Sequence, residues 1–207
     1  MHPPATRLAF LLSLGLGGCA SNDFTLEADL PGDFKFTGDA LYVAPHNSAC
    51  TQESRHRLFE TPGNGERPRR ISFVVPLEQR RDGCTLELSG IRIELDGSSL
   101  PIYSDSNRAD VALAGLVVRD RLPAGEPEMP RQGTLIFDGQ CRWIAPADGS
   151  PRSLYCRASD LQGQWFEGAP GGVVQRNRLA GRTVRLAIAM PAEPPAIAGE
   201  NPGATQR

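Results

Sequence analysis

The sequence predicts an all-β fold. The expected architecture is a single disulfide-stabilised β-sandwich or barrel-like domain of about eight strands, with a two-lobed arrangement left open. Three observations carry this expectation. No stretch beyond residue 23 shows a strong period near 3.6 residues, so no amphipathic helix is indicated. Short apolar-alternating runs are separated by Gly, Pro and Asp turns, which is the layout of all-β domains. Four cysteines, Cys50, Cys84, Cys141 and Cys156, form an even set across the same region. The 207 residues suit one domain or two small ones. Net charge is −2, which leaves no basic footprint for nucleic acid. Lys35 is the only lysine, so arginine supplies almost all the positive charge, and its planar fork suits bidentate pairing with carboxylates and phosphates.

Taken in order, residues 1–18 read as a secretory signal. Arg7 precedes a short apolar run, Leu8 to Leu16, and small residues follow it. The run is too short to span a membrane, which takes ~20 apolar residues. The stretch Leu16-Gly17-Gly18-Cys19 resembles the lipobox of bacterial lipoproteins. That resemblance implies that the Cys19 thiol receives a diacylglycerol, that the preceding peptide is removed, and that the new amino terminus is acylated. The other reading is an ordinary secretory signal with Cys19 near the cut. Both readings take the mature chain out of the cytoplasm. Residues 19–23 then form a lipidated tether, and four extended residues reach only ~14 Å. In lipoproteins of enteric bacteria, an Asp after the lipidated cysteine holds the protein in the inner membrane. Ala20 stands there instead, so the resemblance implies an outer-membrane protein facing the periplasm.

The β domain is expected over 24–191. Phe24 to Val43 read as one or two strands around the turn Pro31-Gly32-Asp33. Ala44 to Arg70 read as a long polar loop. Ile71, Phe73 and Val75 alternate as a half-buried strand, and Glu78 to Gly83 read as a polar turn. Thr85 to Leu95 is a strand whose apolar positions change parity, from Leu86 and Leu88 to Ile91, Ile93 and Leu95. A one-residue slip sends side chains to the opposite face, so a β-bulge is expected at Ser89-Gly90. A similar change is expected at Gly115 within Val111 to Val118. Asp120 to Gln132 is a Pro-rich, locally acidic loop. Thr134 to Trp143 and Arg152 to Ser159 read as a hairpin about Asp148-Gly149, and Val184 to Met190 as a last, strictly alternating strand. Residues 192–207 read as a disordered tail.

In an exported chain four cysteines read as two disulfides. Counting outward from the Asp148-Gly149 turn places Cys141 opposite Cys156. The same count puts them on a hydrogen-bonded pair, with Cα atoms ~5.5 Å apart. Cys50 then pairs with Cys84. Metal ligation by the four lacks any C-x-x-C pair and is set aside.

No catalytic motif emerges. There is no Gly-x-Ser-x-Gly elbow, and a β fold lacks the sheet-to-helix turn it needs. His46 and His56 are read as exposed loop residues, and two histidines do not make a metal cluster. The chain is therefore expected to be no enzyme and to need no cofactor or metal. Recognition is expected from loops. Arg67, Arg69 and Arg70 cluster in the basic 44–70 segment, and Trp165-Phe166 stand in a glycine-rich stretch. Aromatic and Arg residues are enriched at binding hot spots, so these five are the candidate contacts for a partner. The alternatives are a solvated surface for the arginines and a lid over the sandwich for Trp165 and Phe166. The plan of an exported, lipid-anchored, disulfide-stabilised, non-catalytic β domain is similar to that of lipoprotein immunity proteins. Those proteins neutralise type VI secretion effectors of the lipase or phospholipase kind. That resemblance implies a secreted toxin as partner, and it transfers no individual residue. A structural or assembly lipoprotein of the cell envelope is the alternative, followed by a hydrolase with an unrecognised site.

Overall fold

The computed structural model describes residues 22–32, 34–59, 67–97, 111–122, 124–125, 129–144, 153–159, 165–167 and 171–190. The signal stretch, Cys19, the Asp148-Gly149 turn and the C-terminal tail lie outside these residues. Twelve strands follow in chain order: β1 Asp23–Leu30, β2 Lys35–Val43, β3 Glu53–Phe59, β4 Arg69–Pro76, β5 Glu78–Arg81, β6 Cys84–Asp96, β7 Val111–Arg119, β8 Leu135–Ile144, β9 Ser153–Ser159, β10 Trp165–Glu167, β11 Gly171–Gln175 and β12 Thr183–Ala189. Eight of them coincide with the runs read from apolar alternation. The other four, β3, β5, β10 and β11, are short or polar and escape that signal.

The strands form two six-stranded sheets packed face to face. One has the order β10-β9-β8-β12-β1-β4, the other β11-β7-β6-β2-β3, with β5 also paired to β6. Strand alternation builds the core between them. Phe24, Leu26, Ala28 and Leu30 of β1 point inward, as do Phe36, Ala40 and Tyr42 of β2. One apolar cluster draws on both sheets, so the molecule is a sandwich with one core and not two lobes. Phe36 and Phe73 stack across the interface with centroids 5.4 Å apart. The buried Tyr42 hydroxyl donates to the Pro76 carbonyl of the opposite sheet at 2.9 Å.

The expected bulge is present. Leu41 pairs with Gly90 while Tyr42 pairs with Leu88, leaving Ser89 as the extra residue. The Ser89 hydroxyl donates to the Leu41 carbonyl at 3.0 Å, so the bulge is held by its own side chain. The change expected at Gly115 does not occur. Register between β6 and β7 runs unbroken from Gly90↔Val117 to Asp96↔Val111. Ala114, Leu116 and Val118 are buried, while Leu113 and Val117 are left exposed on the outer face. Gly115 instead answers a close approach. A Cβ there would meet the Ile91 carbonyl oxygen at 2.6 Å, and one on Gly171 would strike the Gly115 carbonyl. Exposed Leu113 and Val117 look like core in sequence, which is the physical source of the parity change expected there.

Both expected disulfides form. Cys50 joins Cys84, and Cys141 joins Cys156 across the β8–β9 pair. The Cys141 and Cys156 Cα atoms are 4.0 Å apart. That is nearer the ~4.5 Å of a non-hydrogen-bonded pair than the ~5.5 Å first counted. Cys141 faces Cys156 as expected, at a closer spacing, and the Asp148-Gly149 turn itself lies outside the described residues. A two-residue Asp-Gly turn of the expected kind closes β5 onto β6 at Asp82-Gly83. Both residues have positive φ, 49° and 80°, and Arg81 faces Cys84, as a two-residue primed turn requires.

Candidate partner-binding surface

The three arginines expected to act together are parted by the strand they enter. Neighbouring residues of a strand point to opposite faces, and Arg69 and Arg70 open β4. Arg69 donates to the Gly32 carbonyl at 3.0 Å and the Phe34 carbonyl at 2.8 Å, clamping the β1–β2 connection. Its Nε is buried without a hydrogen-bond partner. Arg70 lies on the outer face and forks onto Asp29, at 2.6 and 2.9 Å. Arg67 is exposed at the bend before β4 and has no ion pair among the described residues.

Arg70 belongs to a lattice that sequence reading missed. β1 lies between β4 and β12, so Thr25, Glu27 and Asp29 on its outer face meet side chains from both neighbours. Glu27 stands beside Arg185 of the parallel strand β12 at 2.8 Å, with Arg70 at 3.9 Å. The Arg70 guanidinium holds the Asp29 carboxyl below the ordinary carboxylate range, against a smaller opposing push from burial. The alternation Thr25-x-Glu27-x-Asp29 was visible in sequence. Its arginine partners were not, because they arrive from strands 41 and 158 residues away.

Trp165 and Phe166 lie on β10, the edge strand of their sheet, paired antiparallel to β9. The stretch read as a loop therefore extends the sheet by one strand; its side chains lie outside the described residues. His46 is exposed in the β2–β3 connection, and His56 is exposed on β3. The basic 44–70 segment is thus part strand: Arg57 of β3 forks onto Asp39 of β2 at 3.0 and 3.4 Å.

The end of the sandwich away from Arg67 and Arg69 holds a cleft of about 300 Å³ lined by Asn22, Leu77, Glu78, Asp120, Arg176, Asn177 and Ala180. Arg176 follows β11 and bridges two segments. Its Nε donates to Asp120 at 2.8 Å. Its Nη1 lies 3.0 Å from Glu87 Oε2 but out of line for a hydrogen bond. Arg182 donates to the carbonyls of Pro130, Arg178 and Gly133, fixing the 129–134 connection. Among the described residues, no three His, Cys, Asp or Glu side chains stand close enough together to hold a metal ion. What these surfaces offer a partner is paired charge on a rigid β frame, with Leu113 and Val117 exposed at 49% and 42% on the outer face of the second sheet. No protein-family model matches the chain, and no curated protein or solved structure shows significant similarity to it.

Proposed function

We propose that the chain is a lipid-anchored protein of the bacterial outer membrane. It faces the periplasm and neutralises an antibacterial type VI secretion effector of the lipase or phospholipase kind by binding it. The observation that carries this reading is the division of the cysteines. Four close into two disulfides within the domain, as an oxidising compartment permits. The fifth, Cys19, stands apart, directly after Leu16-Gly17-Gly18 and four residues before β1. An anchor there concentrates an inhibitor at the surface that a lipase attacks. Arg67 and the Trp165-Phe166 strand are the contacts proposed for the partner. Arg69 is occupied by the fold, and Arg70 contributes through its lattice with Asp29.

Affinity capture tests this reading. The unlipidated chain from residue 20, presented to the organism's secreted and envelope proteins, should retain a toxin as a 1:1 complex. Arg67→Ala should weaken that complex while leaving the melting temperature unchanged. Cells lacking the gene should be killed by toxin-delivering sister cells. Normal resistance in those cells would sink the immunity reading, and envelope defects without any toxin present would replace it with an assembly role.

A further inference from the structure

We propose that the end of the sandwich from which the tether leaves is a docking surface for an anionic phospholipid bilayer, contacted through Arg119, Arg121 and Arg131. The proposal rests on reading Cys19 as the lipid-bearing residue, and it adds which face of the domain the anchor turns to the membrane.

Backbone pairing fixes which end this is. Asn22 precedes β1, and its carbonyl accepts from the Leu77 amide at 2.9 Å; the Gly181 amide donates to the Asp23 carbonyl at 2.7 Å. The start of β12 and the end of β4 are therefore at the same end as the tether. β8 starts there too, since Leu135 pairs with Val184. The second sheet contributes the end of β7 and the end of β11, because Asn22, Asp120 and Arg176 line one cleft. Three or four extended residues between Cys19 and β1 allow only ~10–14 Å of separation. A lipid on Cys19 thus holds this end, and no other, within a Debye length or so of the headgroups.

The charge at this end suits such a surface. Arg119, Arg121 and Arg131 are exposed and have no ion pair among the described residues. Of the neighbouring arginines, Arg176 is engaged by Asp120 and Glu87, Arg182 by carbonyls and Arg81 by Asp82 at 3.8 Å, while Arg80 on β5 and Arg178 beside the cleft add further positive charge. Opposing them among the described residues are Glu78 at the cleft and exposed Glu53, which pairs with Val43 at this end. At the far end, among the described residues, Lys35 pairs with Asp96, Arg69 with carbonyls and Arg142 lies over the Tyr155 ring, while Arg67 is exposed without an ion pair. Anionic bilayers attract clustered arginines with an energy that adds per residue and is screened by salt. In this pose the far end, with Arg67, faces away from the membrane and stays open to a partner.

The test uses the chain from residue 20 to 207, which contains every core residue and carries no lipid. Vesicles of phosphatidylcholine with one-quarter phosphatidylglycerol are compared with pure phosphatidylcholine by co-sedimentation. Binding is expected only to the anionic vesicles, falling about tenfold or more between 20 and 500 mM NaCl. Arg119→Gln/Arg121→Gln/Arg131→Gln should lower it by a similar factor at unchanged melting temperature, and Arg67→Gln by less than about twofold. Equal binding to both vesicle types, no binding, or equal loss in the two variants overturns the docking surface. The anchor is tested separately by the mass of Cys19 peptides from the native chain. An unlipidated Cys19 would remove the anchor reading while leaving the vesicle result to stand or fall alone.

Discussion

Asp29 and Arg70 show how a surface ion pair becomes a measurable property of the fold. Both partners are partly exposed, at 33% and 49% of their side chains, so the pair is screened and its contribution is modest. Its pH signature is definite. Pairing with Arg70 lowers the Asp29 carboxyl below its ordinary 3.8, so the folded state binds its proton less readily than the unfolded chain. The resulting stability is complete above about pH 4 and disappears as pH falls through the lower folded value. The melting-temperature gap between the native chain and Asp29→Asn should be constant above about pH 5 and close below pH 4. A gap that persists at pH 2 would mean Asp29 acts otherwise than through its charge. Tyr42 gives the alkaline counterpart. Burial pushes its hydroxyl up to about 12 from 10.0, and that hydroxyl donates across the sandwich to Pro76. Tyr42→Phe leaves the carbonyl unmatched and should cost about 1–3 kcal/mol at neutral pH. The folded state keeps a proton that the unfolded chain gives up above pH 10, so native stability falls from there towards pH 12. The variant lacks that fall, and the gap between the two should narrow over the same window.

Among the elements, β6 depends most on a single residue. Its thirteen residues serve three partners, β2, β5 and β7, and Ser89 is the extra residue that lets both halves face the core. Deleting Ser89 rotates Leu86 and Leu88, both fully buried, to the solvent face. Two large apolar side chains lose about 1.5–3 kcal/mol each on exposure. The deletion should therefore cost about 3–6 kcal/mol in urea denaturation. It should also carry Cys84 away from Cys50, leaving free thiols in a non-reducing peptide map; an intact Cys50–Cys84 bridge at native stability would contradict this. This bulge was legible because burial imposes parity on sequence, as in Leu86, Leu88, then Ile91 and Ile93. Strands that bury little leave no such trace. β3 reads Glu53-Ser-Arg-His-Arg-Leu-Phe59, and Leu58 alone of its described side chains joins the buried cluster, and β5 is held by the Asp82-Gly83 turn and not by apolar contact. The arginine cluster misled for a related reason. Adjacency in sequence means opposition on a strand, so Arg69 and Arg70 face different partners. The disulfides were legible through counting, whereas the parallel pairs that organise the charged lattice depend on partners far along the chain.

At the scale of the whole molecule, the first and last strands hold one sheet together. β12 lies between β1 and β8 and runs parallel to both, so it is the only link between β4-β1 and β8-β9-β10 in that sheet. Neither disulfide can substitute for it. Cys141–Cys156 stitches β8 to β9, and Cys50–Cys84 ties the β2–β3 connection to β6 in the other sheet. Their sequence separations, 15 and 34 residues, correspond to about 3 and 4 kcal/mol of chain-entropy stabilisation. Cys50→Ala/Cys84→Ala and Cys141→Ala/Cys156→Ala should therefore each remain folded with lowered urea midpoints. Removing β12 is a different order of change. Val184, Leu186 and Ile188 are buried at 0%, 0% and 5% exposure, worth about 1.5–3 kcal/mol apiece. Their sum approaches the 5–15 kcal/mol by which a whole domain is stable. Their loss also bares the facing edges of β1 and β8 and releases Glu27 from Arg185. A chain ending at Gly181 should show no cooperative unfolding transition, while one ending at Pro191 should keep the native midpoint. Cooperative unfolding of the shorter chain would mean that β1 and β8 can close the sheet without β12.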